Sequence, residues 1–194
     1  LTPLEQFISI VVSLSVVSVL FAVVLSFSYR SREVDYNEQP CPVATFTMVL
    51  FFVGYYLLIR FRVGSIDVRD GLALALAIVG LPLVVIGAAV NLLGRKQLGS
   101  NWADQATLYA NQSLVTTGLF GYVRHPLYAS LIWMFIGAGL SYHNVVALLA
   151  TFVVFVPAMI WRANLEEKML ALRFPEYAEY QKHAGRLIPW RRRG

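Results

Sequence analysis

The sequence predicts an all-α fold, an integral membrane bundle of five transmembrane helices, and three observations predict it. Hydrophobic types make up 58% of the 194 residues and charged types only 14%, against about 45–50% and about 25% in a soluble domain. The charges are segregated as well, leaving runs free of Asp, Glu, Lys and Arg at 6–29, 39–59, 71–94, 105–123 and 125–161, which are 24, 21, 24, 19 and 37 residues long. A bilayer crossing needs about 20 such residues. The third observation is a lopsided distribution of Lys and Arg between the connections. A soluble domain and a disordered chain are excluded, and the single cysteine, Cys41, excludes an internal disulfide scaffold.

The first span, about 4–28, opens without a basic flank and outruns the roughly 7–15-residue core of a signal peptide, so it is expected to stay as a helix. The second, about 43–59, carries Phe46, Phe51, Phe52, Tyr55 and Tyr56, an aromatic character suited to lipid and interface. The third, about 71–94, holds Pro82 in its interior, where a missing backbone hydrogen bond predicts a bend. The charge-free run at 105–123 is different. Gln105, Thr107, Asn111, Gln112, Ser113, Thr116 and Thr117 are too many polar groups to leave unpaired in hydrocarbon, so 95–125 reads as a structured loop on one membrane face. The last run would reach about 55 Å as one helix through a core about 30 Å thick. Two helices, about 126–140 and 144–162, solve this, with a kink expected at Pro157 and a polar tail over 163–194. No internal repeat or second domain is visible.

Five spans put the chain ends on opposite faces. One face then carries 3 basic residues, Arg60, Arg62 and Arg69, and the other carries 13, among them Arg95, Lys96, Arg124 and the C-terminal group from Arg162 onward. The positive-inside rule places the loop and the C-terminal segment in the cytoplasm and the N-terminus outside. The formal net charge of +5 has the same origin, and Arg191-Arg192-Arg193 reads as a headgroup anchor rather than a nucleic-acid patch. The three histidines, His125, His143 and His183, are too scattered for a metal-ligand pair at helical spacing.

Two constellations can carry chemistry. In Thr117-Gly118-Leu119-Phe120-Gly121-Tyr122-Val123-Arg124-His125-Pro126-Leu127-Tyr128, proline pre-sets a helix start and pushes His125 out of the helical region. The fourth helix should begin at Pro126, its free N–H groups facing the loop as a site for an anionic group. The plain alternative is an interfacial helix cap with Arg124 at the headgroups. At the end of the fifth helix, Arg162 and Glu166 are four apart and share one face, with Glu167 beside them. An exposed ion pair is the plain reading; the position where a helix leaves the membrane argues for function. Phe174-Pro175-Glu176-Tyr177, Tyr180 and Arg186-Leu187-Ile188-Pro189-Trp190 then alternate aromatics with charge, as suits an amphipathic segment over the site or on lipid.

Arg124-His125-Pro126-Leu127-Tyr128, Arg162 with Glu166-Glu167, and Phe174-Pro175-Glu176-Tyr177 with Tyr180 together resemble the isoprenylcysteine carboxyl methyltransferase family, which is similar to the phospholipid N-methyltransferases. The resemblance covers roughly residues 95 to 190; the first three helices match in hydropathy only. It implies that S-adenosyl-L-methionine is the cofactor, bound from the cytosol by Gln105, Gln112, Ser113, Leu114, Val115, Phe120, His125, Pro126, Leu127, Tyr128 and Glu166 or Glu167. Phe120 stands where the family has a tyrosine, so the ring can still stack on the cofactor but brings no hydroxyl to it. Arg162 matches the arginine that contacts the substrate and is the candidate catalytic residue; no metal is implied. The expected acceptor is a lipophilic molecule, a prenylcysteine-like carboxylate giving a methyl ester, reached through the bilayer. Such a carboxylate, with a pKa near about 4, is ionised at neutral pH and needs no general base. The competing readings are a sterol-type reductase using NADPH, a lipid headgroup N-methyltransferase, and a non-catalytic membrane scaffold.

Overall fold

In hydrocarbon every backbone N–H and C=O needs a partner inside its own segment, so long apolar runs become helices. The computed structural model of this chain describes residues 2–28, 42–101 and 113–189, and the long segments among these are helical. Helices α1 (Pro3–Ser28), α2 (Pro42–Arg60) and α3 (Asp70–Leu98) are followed by 3-10 turns at Gly99–Asn101 and Gly118–Gly121. Helix α4 (Pro126–Ser141) leads to α5 (Val145–Ala150), a π turn at Thr151–Phe155, α6 (Val156–Arg173) and α7 (Tyr177–His183). Three segments, Pro3–Leu25, Asp70–Leu98 and Val145–Arg173, are long and apolar enough to cross a membrane, and Phe46–Arg60 and Pro126–Ser141 are shorter apolar helices. The outward side chains of α1, including Phe7, Leu14, Phe21 and Val24, are exposed. A stripe of that kind suits lipid and would be a liability in water.

The bundle is fixed by the packing of α3 against α4. The two helices meet along small residues: a Cβ added at Gly137 would lie 2.4 Å from the Gly80 carbonyl oxygen, and one added at Gly87 would lie 2.7 Å from that of Ser130. Close backbone approach supplies dispersion contact where no hydrophobic drive exists between helices. A polar clasp sits on the same seam. Asn91, fully buried, donates to Ser130 Oγ at 2.9 Å and accepts from Arg95 Nε at 2.9 Å. On the α2 side, Phe51 and Phe135 meet edge to face at 5.1 Å and Phe51 stacks on Phe155 at 4.7 Å, while the Tyr55 hydroxyl donates to the Phe135 carbonyl at 2.5 Å. At the far end, Asn144 caps α5 by accepting from the Ala147 N–H at 2.8 Å and donates to Ser65 Oγ at 3.2 Å.

Three boundaries differ from the sequence expectation. Helix α3 continues past Gly94 to Leu98, so Arg95 and Lys96 are helical; Gly99, at φ 51°, ends it. The expected turn near Gly139–Asn144 falls between α4 and α5, but the last helical segment then continues through a π turn as Val145–Arg173, beyond Arg162. At 1.5 Å per residue it is about 44 Å long, so its charged end projects past a hydrocarbon core of about 30 Å. In place of a plain kink at Pro157, the turn before it widens, with the Val156 N–H bonding to the Thr151 carbonyl five residues back. Proline has no N–H to give to the preceding turn, and a π turn absorbs that break. It borders an apolar cavity of about 340 Å³ between α2 and α6, lined by Thr47, Met48, Phe51, Val154, Phe155, Pro157, Ala158, Met159 and Trp161.

The seam yields a paired prediction. Gly137→Leu forces α3 and α4 apart and should cost about 1–3 kcal/mol, whereas Gly54→Ala in α2, with nothing within 4 Å of the new methyl, should be neutral or stabilise by up to about 1 kcal/mol. Thermal unfolding in detergent micelles reads both, and equal effects would contradict the packing account.

Candidate functional site

The segment before α4 is held by the chain beyond α7. Val123 and Gly185 form a parallel bridge, the Arg124 N–H donates to the Gly185 carbonyl at 2.7 Å, and the His125 N–H donates to the Arg186 carbonyl at 3.1 Å. His125 adopts φ −122° and ψ 63°, outside the helical region as the following proline requires, and α4 starts at Pro126. The His125 carbonyl accepts the Ala129 N–H at 3.1 Å, closing the first turn. The Tyr180 hydroxyl donates to the Phe120 carbonyl at 2.6 Å. Burial pushes that hydroxyl up to about 12, so it stays a donor at neutral pH.

Two neighbouring carboxylates from α6 enter this corner. Glu167 is buried, with 8% of its surface exposed, and its oxygens accept from Arg124 Nε at 3.1 Å, Arg186 Nε at 3.1 Å, Arg186 Nη2 at 2.8 Å and Gln181 Nε2 at 3.5 Å. Glu166 Oε1 accepts from the Tyr128 hydroxyl and from Arg162 Nε, the latter at 3.3 Å. His125 lies between the two acids, Nε2 at 3.1 Å from Glu167 Oε1 and Nδ1 at 3.5 Å from Glu166 Oε2. The desolvation of the buried ring works against the imidazolium, but the hydrogen bonds and charges of Glu166 and Glu167 outweigh it and hold the His125 pKa above its ordinary value.

Arg162 is buried, with 5% exposure, which an arginine accepts only when well paired. Nε donates to the Tyr128 hydroxyl at 2.8 Å, the guanidinium carbon lies 5.7 Å from the Tyr128 ring centre, and Nη1 donates to Met48 Sδ at 3.0 Å. The Tyr128 ring in turn stacks on His125, 5.4 Å between centres and 5° between planes. Met48 also lines the apolar cavity. One guanidinium therefore joins an apolar space facing α2 to a polar corner at the start of α4.

Of the residues singled out from sequence, His125, Tyr128, Arg162, Glu166 and Glu167 come together. Pro126 is buried at the helix start, but Leu127 turns toward α3, its Cδ2 standing 2.9 Å from where a Cβ on Gly94 would be. Ser113 donates its N–H to Asn101 Oδ1 at 2.7 Å, and Leu114 and Val115 follow it in the same irregular stretch. Phe120 is buried under the contact with Tyr180. Gln105 and Gln112 lie outside the described residues. Sequence reading left Arg124 open between the motif and a headgroup contact, placed Arg186 only in an amphipathic segment over the site or on lipid, and did not single out Met48. Arg124 instead turns inward, and no spacing rule pairs residues 43, 19 or 114 positions apart. Among the described residues no group of His, Cys, Asp and Glu is arranged to hold a metal ion.

Comparison with known proteins shows the family and the fold. The family model described as phospholipid methyltransferase matches residues 75–176, just over half of the chain and the whole of α4 to α6. The cobalt-zinc-cadmium resistance protein CzcN of Cupriavidus metallidurans is 32% identical over 124 residues, covering 61% of this chain and 50% of that protein. The protein-S-isoprenylcysteine O-methyltransferase of Saccharomyces cerevisiae is 28% identical over 116 residues, covering 58% of this chain and 48% of that protein. The chain thus spans about half the length of these curated relatives. Among solved structures, the eukaryotic intramembrane Ras methyltransferase ICMT shares the fold, with a TM-score of 0.54 at 21% identity over 79% of this chain and 55% of that one.

The raised pKa of His125 carries a stability prediction. The pairing of imidazolium with both acids is fully present below the ordinary histidine value of about 6.5 and is lost as pH rises through the higher native value. The gap in melting temperature between the wild type and His125→Gln should therefore shrink as the pH is raised above about 6.5. A gap that stays constant over that range would refute the pairing.

Proposed function

We propose, from the premise that this chain belongs to the phospholipid methyltransferase family, that it is an integral membrane methyltransferase acting on a lipophilic carboxylate. The donor is S-adenosyl-L-methionine and the product a methyl ester; the acceptor class is a prenylcysteine-like amphiphile. Its three long and two shorter apolar helices make five crossings, with the N-terminus outside and the corner at the start of α4 in the cytoplasm. The observation that carries the reading is the position of Arg162, a buried cation bonded to Met48 at the cavity and to Tyr128 and Glu166 at the polar corner.

The donor set suits a cation beside an anion. When bound, S-adenosyl-L-methionine supplies a methyl group made electrophilic by its sulfonium. Glu166, flanked by the Tyr128 and His125 rings, is the acid that fits a cationic group there. Ser113, Leu114, Val115, Phe120, Pro126 and the backbone of Leu127 would line the remainder of the cofactor's place. Glu167 is already filled by arginine donors, so its part is to hold His125.

On the acceptor side, the buried Arg162 guanidinium stands between the polar corner and the cavity beside Met48, and a cation there favours an anionic head. The cavity beside Met48 suits an apolar tail. A carboxylate arrives ionised, so the residues need only orient it and exclude water. Arg162 orients rather than neutralises, because a full ion pair would stabilise the ground state as well as the transition state. The buried Arg162 also supports a carboxylate over the amine of a lipid headgroup, which must lose a proton before it can accept a methyl group. For the reductase and the scaffold no feature of the corner speaks.

Two substitutions separate the two halves of the site. Arg162→Ala should raise the acceptor KM or lower kcat by at least about tenfold, the value of one charge-assisted hydrogen bond. Ala158→Trp, which fills the cavity, should raise the acceptor KM while leaving the affinity for S-adenosyl-L-methionine within about twofold. Calorimetry on the purified protein gives that affinity; absence of saturable binding by the wild type would overturn the reading.

A further inference from the structure

We infer that Arg186 is a positioning residue that clasps the His125–Glu167 pair from both ends, and so leaves Glu166 as the acid that meets a cationic cofactor. The clasp is visible in one residue's two functions. The main-chain carbonyl of Arg186 accepts the His125 N–H at 3.1 Å. Its guanidinium forks onto Glu167, Nε to Oε1 at 3.1 Å and Nη2 to Oε2 at 2.8 Å, a bidentate geometry that fixes orientation as well as charge. Nη2 also donates to Asn164 Oδ1, one helical turn before Glu167. Arg186 lies ten residues beyond the matched family region, which ends at 176.

The two adjacent acids are thereby made unequal. A carboxylate offers about four acceptor positions, and the five groups on Glu167, namely Arg124, both arms of Arg186, Gln181 and the His125 ring, leave none of them open. Glu166 differs: Oε1 takes Tyr128 and Arg162, while Oε2 faces only His125 Nδ1, at 3.5 Å, among the described residues. A cation approaching this pair finds its open oxygen on Glu166, and its competitor there is the His125 ring in the protonated form. The charged and titratable groups facing that ring are Glu166 and Glu167 from α6, with Arg162 behind them, Tyr128 from α4, Arg124 beside it, and Arg186 from the C-terminal segment. Arg124 and Arg186 offset the charge of Glu167, so less of it reaches His125. Without Arg186, the imidazolium would persist to higher pH and hold Glu166 against the cofactor.

This inference rests on the proposed cofactor for its functional consequence but not for its test. The test is a nuclear magnetic resonance titration of the His125 ring in the detergent-solubilised full chain without cofactor, for the wild type, Arg186→Gln, Arg186→Lys and Arg186→Gln combined with Glu167→Gln. Calorimetry with S-adenosyl-L-methionine accompanies it. Arg186→Gln should move the His125 midpoint up by about one unit, the effect of removing one nearby cation. At neutral pH it should weaken cofactor binding by about tenfold, with the loss recovered at higher pH. Arg186→Lys, which keeps the charge without the fork, should shift the midpoint by about half as much, and it decides the matter if the glutamine variant does not fold. The double variant should return the midpoint to the wild-type value or below. Unchanged His125 midpoints in the single variants would overturn the clasp. If the wild type binds no cofactor, the functional reading fails while the titration still decides the clasp.

Discussion

Two consecutive carboxylates near the end of the last long helix, Glu167 buried and Glu166 half-buried, are the constraint on which this structure depends. Glu166 and Glu167 repel each other and are expensive to desolvate together, yet both sit in one corner of the bundle, Glu167 buried and Glu166 half-buried. The fold meets that cost by bringing cations from three separate stretches of chain. Arg162 comes from one turn earlier on the same helix, Arg124 from the residue before His125, and Arg186 from beyond α7. His125 spans the two acids. Because the donors come from distant segments, the start of α4, the end of α6 and the C-terminal segment are held as one unit.

That unit needs a rigid support, and α3 with α4 provides it. The glycine contacts at Gly80, Gly87 and Gly137 set how closely the two helices run, and the Asn91–Ser130 bond fixes their register near the site. Arg95 is tied to the same asparagine. On the opposite flank the arrangement is looser. The π turn before Pro157 interrupts the regular helix where α2 approaches, and the cavity next to Met48 lies there. A tight seam behind the polar corner and an apolar gap in front of it are what a membrane-borne molecule with a charged head would require.

Much of the fold and part of the site were legible in the sequence. Charge-free runs mark helices because an unpaired backbone cannot enter hydrocarbon, and Pro126 marks the start of α4 because proline fits the first helical position. The Arg162–Glu166 pair follows from the four-residue spacing on one face, and it forms at 3.3 Å. What stayed hidden has physical reasons too. Arg124 looks like any interfacial arginine until the C-terminal segment folds back and offers it the carbonyls of Gln181 and Ala184 beside Glu167. Arg186 and Glu167 meet only through the turn around α7, and a partner 19 residues away leaves no periodic trace. The break at Pro157 was readable as a break, but not as a π turn. The end of α3 was set by Gly99 at positive φ rather than by the last apolar residue.

The central claim is that a carboxylate with an apolar tail meets the buried Arg162 and leaves as a methyl ester. The most direct measurement is incubation of membranes carrying the full chain with methyl-labelled S-adenosyl-L-methionine and a prenylcysteine-like carboxylate, followed by mild base. The account predicts label in the lipid fraction that base releases as volatile methanol, and that is absent from membranes without the protein. Label that enters the lipid fraction but resists base would contradict it, since that result means transfer to nitrogen or carbon rather than to a carboxylate.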